Sequence, residues 1–488
     1  MTTRFFLTGI STWAGIPCRG WRRGVWAMAV VCCLCNAGPL FAQRDTDAFL
    51  NRQRLLEDEV RAALDRELPA EQKVDIDWGG WYSFYLFLYD DGVKSSRTYR
   101  QHDLRAWTSV SLEEGAHQFY ARGKLQYQDF NTGDSYDGRD NDWVGPNLDR
   151  GFYLFDLQRA MRAYTGERID WNLRAKVGRD LVQFGTGYAL SLPMDHVLLT
   201  LDVGDLEIQG LAGTTIRSMD DIDRSRPNSG DSERNFWGTQ ITYTGLDKHR
   251  PFVYAFWNED QHRDNFRFPL QGHDYDTWYI GLGSMGELAR HLHYITELVF
   301  EGGKSYGWGQ WTRRDNVCAW AFDAGLEYLS PGAMKPRYSF EYMFASGDPD
   351  RPLSPTNAIG GNTRGNDTSF VGFGYRYTGL ALAPRLSNLH IWRAGAAFLP
   401  FEKIEALREL ELGTDWFLFC KNRSAGAISD YTADERSGYV GWEMDYYVNW
   451  RLTSDLAWTT RFGTFFPGQA YSDQTTRTFL MTGVTYSF

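Results

Sequence analysis

Between Val440 and Trp450 the even positions are Val440, Trp442, Met444, Tyr446, Val448 and Trp450, while the odd positions carry Gly441, Glu443, Asp445, Tyr447 and Asn449. Alternate side chains of a strand point to opposite faces, so this segment has one apolar, aromatic face and one charged face. Leu456, Trp458, Thr460, Phe462 and Phe466 repeat the pattern against Ala457, Thr459, Arg461 and Gly463. Leu480, Thr482, Val484, Tyr486 and Phe488 do so again. Soluble sheets seldom place this much Trp, Tyr and Phe on one face. A transmembrane β-barrel does, because lipid meets one side, water the other, and aromatic girdles mark the interfaces. A terminal aromatic strand fits closure of such a barrel.

The same alternation recurs upstream. Candidate strands are Trp78 to Tyr89, Arg97 to Leu112, Gln118 to Gln128, Phe152 to Tyr164 and Ile169 to Gly178. Two hairpins follow, Val197 to Val203 with Leu206 to Ile216, and Phe236 to Gly245 with Phe252 to Trp257. Next come Trp278 to Gly286, His291 to Phe300, Cys318 to Tyr328, Tyr338 to Phe344, Phe370 to Tyr377, Leu389 to Leu399 and Leu410 to Cys420. With the closing three these make nineteen. Single-chain bacterial barrels have an even number of strands. Phe370 to Tyr377 is the weakest candidate, since it lies in a loop-rich region and suits an inward fold. The expected architecture is therefore all-β, a single antiparallel barrel of about eighteen strands over residues 74–488. Loops are expected at Asn131–Arg150, Arg217–Asn235 and Gly347–Asp367.

Composition agrees with that architecture. Of 488 residues 16% are aromatic, with 49 Gly and only 16 Pro, and mean hydropathy is −0.46. No run of eighteen apolar residues is present, so no helix is expected to span a membrane. Residues 1–42 read as a secretory leader, with Arg19, Arg22 and Arg23, an apolar stretch from Val25 to Ala37, and Leu40-Phe41-Ala42 before the cut. Residues 43–73 are expected to hold a short amphipathic periplasmic helix, with Phe49, Leu56, Val60, Ala63 and Leu64 on one stripe and Pro69 at its end. That helix would pack on the barrel rim, plug it, or dock a periplasmic envelope partner. Four cysteines fall within the leader; Cys318 and Cys420 remain, which leaves no disulfide framework to read. Loss of the leader's four arginines takes the formal net charge from −11 to −15. Such acidity argues against a nucleic-acid partner.

Enzyme motifs fail on inspection. Gly303-Lys304-Ser305 resembles the end of a phosphate loop, but Leu298 occupies the place of its first Gly. There is no Gly-x-Ser-x-Gly elbow. His291 and His293 would share a strand face, yet a solvated pair explains them better than a metal. Asp134, Asp137, Asp140 and Asp142 lack the order of a calcium loop. No catalytic residue, cofactor or metal site is expected. The expected inner face is more informative. It is basic in the early strands, at Arg105, Arg122, Lys124, Arg162, Arg174 and Lys176. It is mixed or acidic in the late ones, at Asp323, Glu327, Arg337, Glu341, Asp415, Glu443, Asp445 and Arg461. Cations around a low-dielectric pore favour anions, and interspersed carboxylates keep binding reversible. Cross-lumen pairing that merely holds the barrel's shape is the alternative for any one of them.

The run Ser429-Asp430, Gly438-Tyr439-Val440-Gly441-Trp442-Glu443-Met444-Asp445, Asn449-Trp450-Arg451, Thr453-Ser454-Asp455 and Phe465-Phe466-Pro467-Gly468 resembles the closing strands of the alginate-export outer-membrane porins. Leu386-Ser387-Asn388-Leu389 and Val177-Gly178-Arg179-Asp180 are similar to two further landmarks of that family. The resemblance implies an eighteen-stranded barrel in the bacterial outer membrane, in contact with its lipid. It also implies an arginine-lined constriction that passes an acidic polysaccharide without a cofactor. Arg179 and Arg461 are the positions it carries over. Leu181 stands where the family's strand-end motif has a second Arg, and Gln158 where an Arg is common, so the basic ring is thinner. The expected function is passive, anion-selective passage of an alginate-like polymer or oligosaccharide. A general or small-solute porin, or a barrel-borne enzyme, is the alternative.

Overall fold

The computed structural model describes residues 74–488 apart from 93–95, 136–140, 218, 220–221, 223–231, 262–274, 307–313, 352, 357–361 and 363. The leader and the amphipathic helix expected before residue 74 lie outside the described residues. Strands run β1 (Val74–Asp90), β2 (Arg97–Leu112), β3 (His117–Phe130), β4 (Asn141–Asp156), β5 (Trp171–Phe184), β6 (Leu190–Val203), β7 (Leu206–Thr215), β8 (Arg234–Tyr243) and β9 (His249–Asp260). They continue β10 (Asp276–Ala289), β11 (Leu292–Tyr306), β12 (Arg314–Leu329), β13 (Arg337–Ala345), β14 (Leu389–Phe398), β15 (Leu410–Lys421), β16 (Tyr439–Arg451), β17 (Leu456–Pro467) and β18 (Arg477–Ser487). Each pairs antiparallel with its neighbours, and β1 pairs β18 from Trp81↔Ser487 to Asp90↔Thr478, which closes an eighteen-stranded barrel. Closure leaves no unpaired edge, the condition for backbone to cross hydrocarbon.

The two faces divide as the alternation requires. Trp78, Trp257, Trp320, Trp416 and Tyr446 are exposed on the outside. Their strand neighbours Asp323, Asp415 and Asp445 are buried inside. Val440 departs from its row. Gly441 (φ 144°) sits at a register shift opposite Phe419 and Cys420, where β16 bulges by one residue. A bulge inserts one residue and reverses parity beyond it. Val440 is thereby fully buried among Phe419, Phe465 and Tyr471 inside the barrel.

Three further departures have local causes. The segment Phe152 to Tyr164 is not one strand: β4 ends at Asp156 and a helix, α1, spans Leu157–Thr165. Asp156 caps it by accepting the Arg159 amide at 3.0 Å, and Gly166 ends it in the left-handed conformation (φ 72°). Leu, Gln, Arg, Ala and Met between these caps are good helix formers. The loop expected over Asn131–Arg150 is half strand, because β4 begins at Asn141. Two register shifts against β3 break its period, which hid it in an Asp- and Gly-rich sequence. His291 lies in the turn before β11 with φ 69°, so it shares no strand face with His293.

Phe370 to Tyr377 takes the inward fold expected of the weakest of the nineteen candidates. It forms no barrel strand; the connection between β13 and β14, residues 346–388, folds inward and Phe370, Val371, Phe373 and Tyr377 become part of a buried interior cluster. Its strand-like sequence is used for a short parallel bridge to Leu190, with Phe373 N donating to Ala189 O at 2.8 Å and Ser191 N donating to Phe373 O at 3.0 Å. Phe373 meets Phe236 edge-on at 5.0 Å, and Tyr279 donates to Val371 O at 2.6 Å. The hydrophobic core of this barrel is therefore inside it, between the inserted connection and the strands it covers.

Candidate functional site

Lumen-facing charge divides between two opposing walls. On β2–β5, Arg105 donates to Asp103 at 2.9 Å and to Asp149 at 3.2 Å, and Arg122 donates to the same Asp149 oxygen at 2.6 Å. Both guanidinium groups lie over the Trp81 ring, at 5.8 and 5.3 Å. Arg150 and Lys176 share Asp180, the first at 3.1 Å, and Lys176 also sits 4.2 Å over Phe152. Lys124 forms no ion pair with a described residue. Among the described residues, five cations thus meet three carboxylates in this belt. Arg122, Asp103 and Asp180 are buried within it, whereas Arg105, Lys124, Asp149, Arg150 and Lys176 are partly exposed, with 22% of the Arg105 side chain and 24% of Asp149 open to the lumen.

Nine strands away round the barrel, the wall of β11–β16 carries Glu297, Glu301, Asp323, Glu341, Asp415, Glu443 and Asp445, every one buried. The inserted connection and its neighbours provide the hydrogen bonds that make such burial tolerable. Glu443, 0% exposed, accepts the amides of Leu380, Ala381 and Leu382 at 2.5, 2.7 and 2.9 Å. Successive N–H groups of this kind form an anion-holding nest. Asp445 accepts the Tyr377 hydroxyl at 2.5 Å. Glu301 accepts from Tyr275 and the Val371 amide, with the Tyr279 oxygen 2.9 Å away. Glu297 accepts from Tyr254 and from both the amide and hydroxyl of Thr186. Arg376 of the insert donates to Asp323 at 2.9 Å, and Arg393 to Asp415 at 2.5 Å. The acidic wall is sealed by protein, whereas the basic wall keeps Arg105, Lys124, Arg150 and Lys176 partly exposed.

Of the residues expected to line the pathway, Arg105, Arg122, Lys124 and Lys176 come together in the belt. Arg174 lies towards the turn end of β5, bonded to Asp202 and Glu207 at 3.2 and 3.3 Å. Arg461 faces inward 5.7 Å over Tyr447. Glu443 and Asp445 face inward but lie beneath the insert. Two positions fall elsewhere. Arg162 is on α1, beyond the barrel wall and 3.7 Å from Glu114, because the chain leaves the sheet at Asp156. Arg179 points outward, in phase with exposed Val177 (46%) and Leu181 (38%), and forms a fork with Asp195 at 2.8 Å through both Nε and Nη2. Arg150, Arg376, Arg393, Glu297 and Glu301 were not anticipated. Glu297 and Glu301 stand in phase with His293 on β11, a signal that alternation could have given; Arg376 lies in a segment whose partner only the fold reveals. Of the acidic loop, Asp134 tethers Arg97 and Thr98, and Asp137 and Asp140 lie outside the described residues.

Comparison with known proteins adds the following. The profile of the Alginate export family matches residues 216–484. No curated protein matches the chain. Among solved structures, Pseudomonas aeruginosa OccK8 (OprE) is similar at 12% identity and TM-score 0.53, over 85% of this chain and 98% of that one. OccK5 (OpdH) of the same organism is similar at 13% identity and TM-score 0.51, again over 85% and 98%. P. aeruginosa OpdK, solved with vanillate, is similar at 11% identity and TM-score 0.50 over the same shares. At these identities the likeness is one of barrel fold. With more than half of its length matched by the family profile and its strands closed into a porin-like cylinder, the chain belongs to the alginate export family and is an outer-membrane β-barrel channel of a bacterium.

Proposed function

We propose that the channel passes an acidic polysaccharide or oligosaccharide passively and prefers anions, with the β2–β5 belt as its selective surface. The observation that carries this reading is the unequal treatment of the two walls. Carboxylates of β11–β16 are hydrogen-bonded beneath the insert, while the belt keeps more cations than carboxylates in contact with lumen water. A charge already satisfied by buried donors contributes little field to a passing ion, whereas partly exposed cations beside a low-dielectric wall contribute much. Partnering by Asp103, Asp149 and Asp180 keeps binding weak enough for release. Passage of this kind needs no cofactor and no covalent step.

The test is the reversal potential of the reconstituted barrel in a KCl gradient. Anion preference is expected, and Lys124→Glu combined with Arg174→Glu should weaken or reverse it. Cation preference in the unmodified protein would overturn the reading. The small-solute alternative finds support in OpdK, whose structure holds the small carboxylate vanillate. A channel of that sort would pass small carboxylates and show no block by uronic-acid polymers.

A further inference from the structure

The rings inside this barrel are of two kinds. Phe256, Tyr279, Phe370 and Phe373 are buried against one another beneath the insert. On the basic wall Trp81 is buried under Arg105 and Arg122, but six other rings are partly exposed. Near the long-loop end, Phe87, Tyr99 and Phe130 stand side by side on β1, β2 and β3, with centroids 5.2 and 4.5 Å apart and planes within 21° and 22°. Near the turn end, Trp107, Tyr120 and Phe152 do the same on β2, β3 and β4, at 6.2 and 5.3 Å and 20° and 23°. The belt lies between them: along β2 the order is Tyr99, Asp103, Arg105, Trp107. Eight residues separate the two β2 rings, about 27 Å at the rise of a strand.

Neither anion conduction nor the barrel's stability calls for six partly exposed rings on the basic wall, where each leaves apolar area in water. Offset stacks at these spacings keep part of each ring face open. A pyranose has apolar C–H faces and a polar rim, so it fits such a surface, and a uronic acid adds a carboxylate for the belt. Simple anions would use the cations alone. We propose that the inner face of β1–β4 is a carbohydrate-binding track of two aromatic platforms flanking the belt, and that it takes uronic-acid oligosaccharides long enough to touch both. The proposal rests on the anion-channel reading and adds the surface on which the sugar rings would lie.

The experiment is single-channel block by mannuronate, as the monomer and as oligomers of increasing length, in wild type and in Tyr99→Leu with Phe130→Leu. Leucine keeps bulk but loses the flat ring. A second variant, Trp107→Leu with Tyr120→Leu, removes the other platform. Expected are block that strengthens with chain length, and a loss of about tenfold in oligomer affinity in either variant, equivalent to roughly 1.4 kcal/mol. The KCl reversal potential should not move, since the belt is untouched. Block that is independent of length, or oligomer block as tight in both conducting variants as in wild type, would overturn the track. A cation-selective wild type would instead overturn the reading beneath it, and the reversal potential reports that separately.

Discussion

At the scale of the residue, alternation told which side chains face the lumen but not which of them meet water. Lys124 and Glu443 both stand on inner parity; one forms no ion pair with a described residue, the other is enclosed by three amides. That difference depends on a segment more than fifty residues away in sequence, and no local pattern records it. Arg179 shows the opposite failure. Its strand was identified, but the positive-φ Gly178 (φ 135°) and the outward phase of Val177 and Leu181 place the guanidinium on the outer face with Asp195. Two outcomes follow. Arg162→Glu should leave ion selectivity unchanged, since α1 lies beyond the wall; a reversal-potential shift like that of Lys124→Glu would contradict the placement. Tyr377→Phe should cost about 1–3 kcal/mol by leaving Asp445 short of a buried donor, read as a lower midpoint of heat-modifiable gel migration; an unchanged midpoint would count against the hydrogen bond.

At the scale of the element, strands with regular period 2 were legible end to end, as β12 and β17 illustrate. Elements built on caps and bulges were not. Asp156 and Gly166 decide where β4 gives way to α1, and both read as ordinary turn residues without the helix between them. The insert is held by comparable small devices. Asn388 donates to Arg423 O, Gly426 O and Ala427 O at 3.0–3.1 Å, so the Leu386–Leu389 landmark is a staple between two long connections. Nearby, burial alone would raise the Asp430 carboxyl, but the Arg477 guanidinium at 2.6 Å and the Thr432 hydrogen bonds outweigh it and hold the pKa below the usual carboxylate range. A folded pKa below the unfolded one means that the contribution is present above the ordinary carboxylate pKa and lost as pH falls through the folded value. Limited proteolysis of the connection between β15 and β16 should therefore quicken in acid. Asp430→Asn should quicken it at neutral pH and flatten the acid response; an acid response as steep as in wild type would dismiss this role.

At the scale of the molecule, the barrel is asymmetric about its axis. Apolar and acidic inner faces of the late strands need a cover, and the chain supplies one from its own connection between β13 and β14. On the early strands the described charges pair with near neighbours instead, as Arg105 and Arg122 do with Asp149. The sequence showed the asymmetry of charge and marked Phe370 to Tyr377 as suited to an inward fold, but not which carboxylates that fold covers, because Glu443 meets the amides of Leu380 to Leu382 only once the barrel is closed.

The most direct test is the reversal potential, in a KCl gradient, of a barrel whose residues 369–386 are replaced by a short Gly/Ser link, with closure verified by heat-modifiable migration. Uncovered carboxylates of β11–β16 should raise conductance and move the preference from anions towards cations. A closed barrel that keeps both the conductance and the anion preference of wild type would contradict the account.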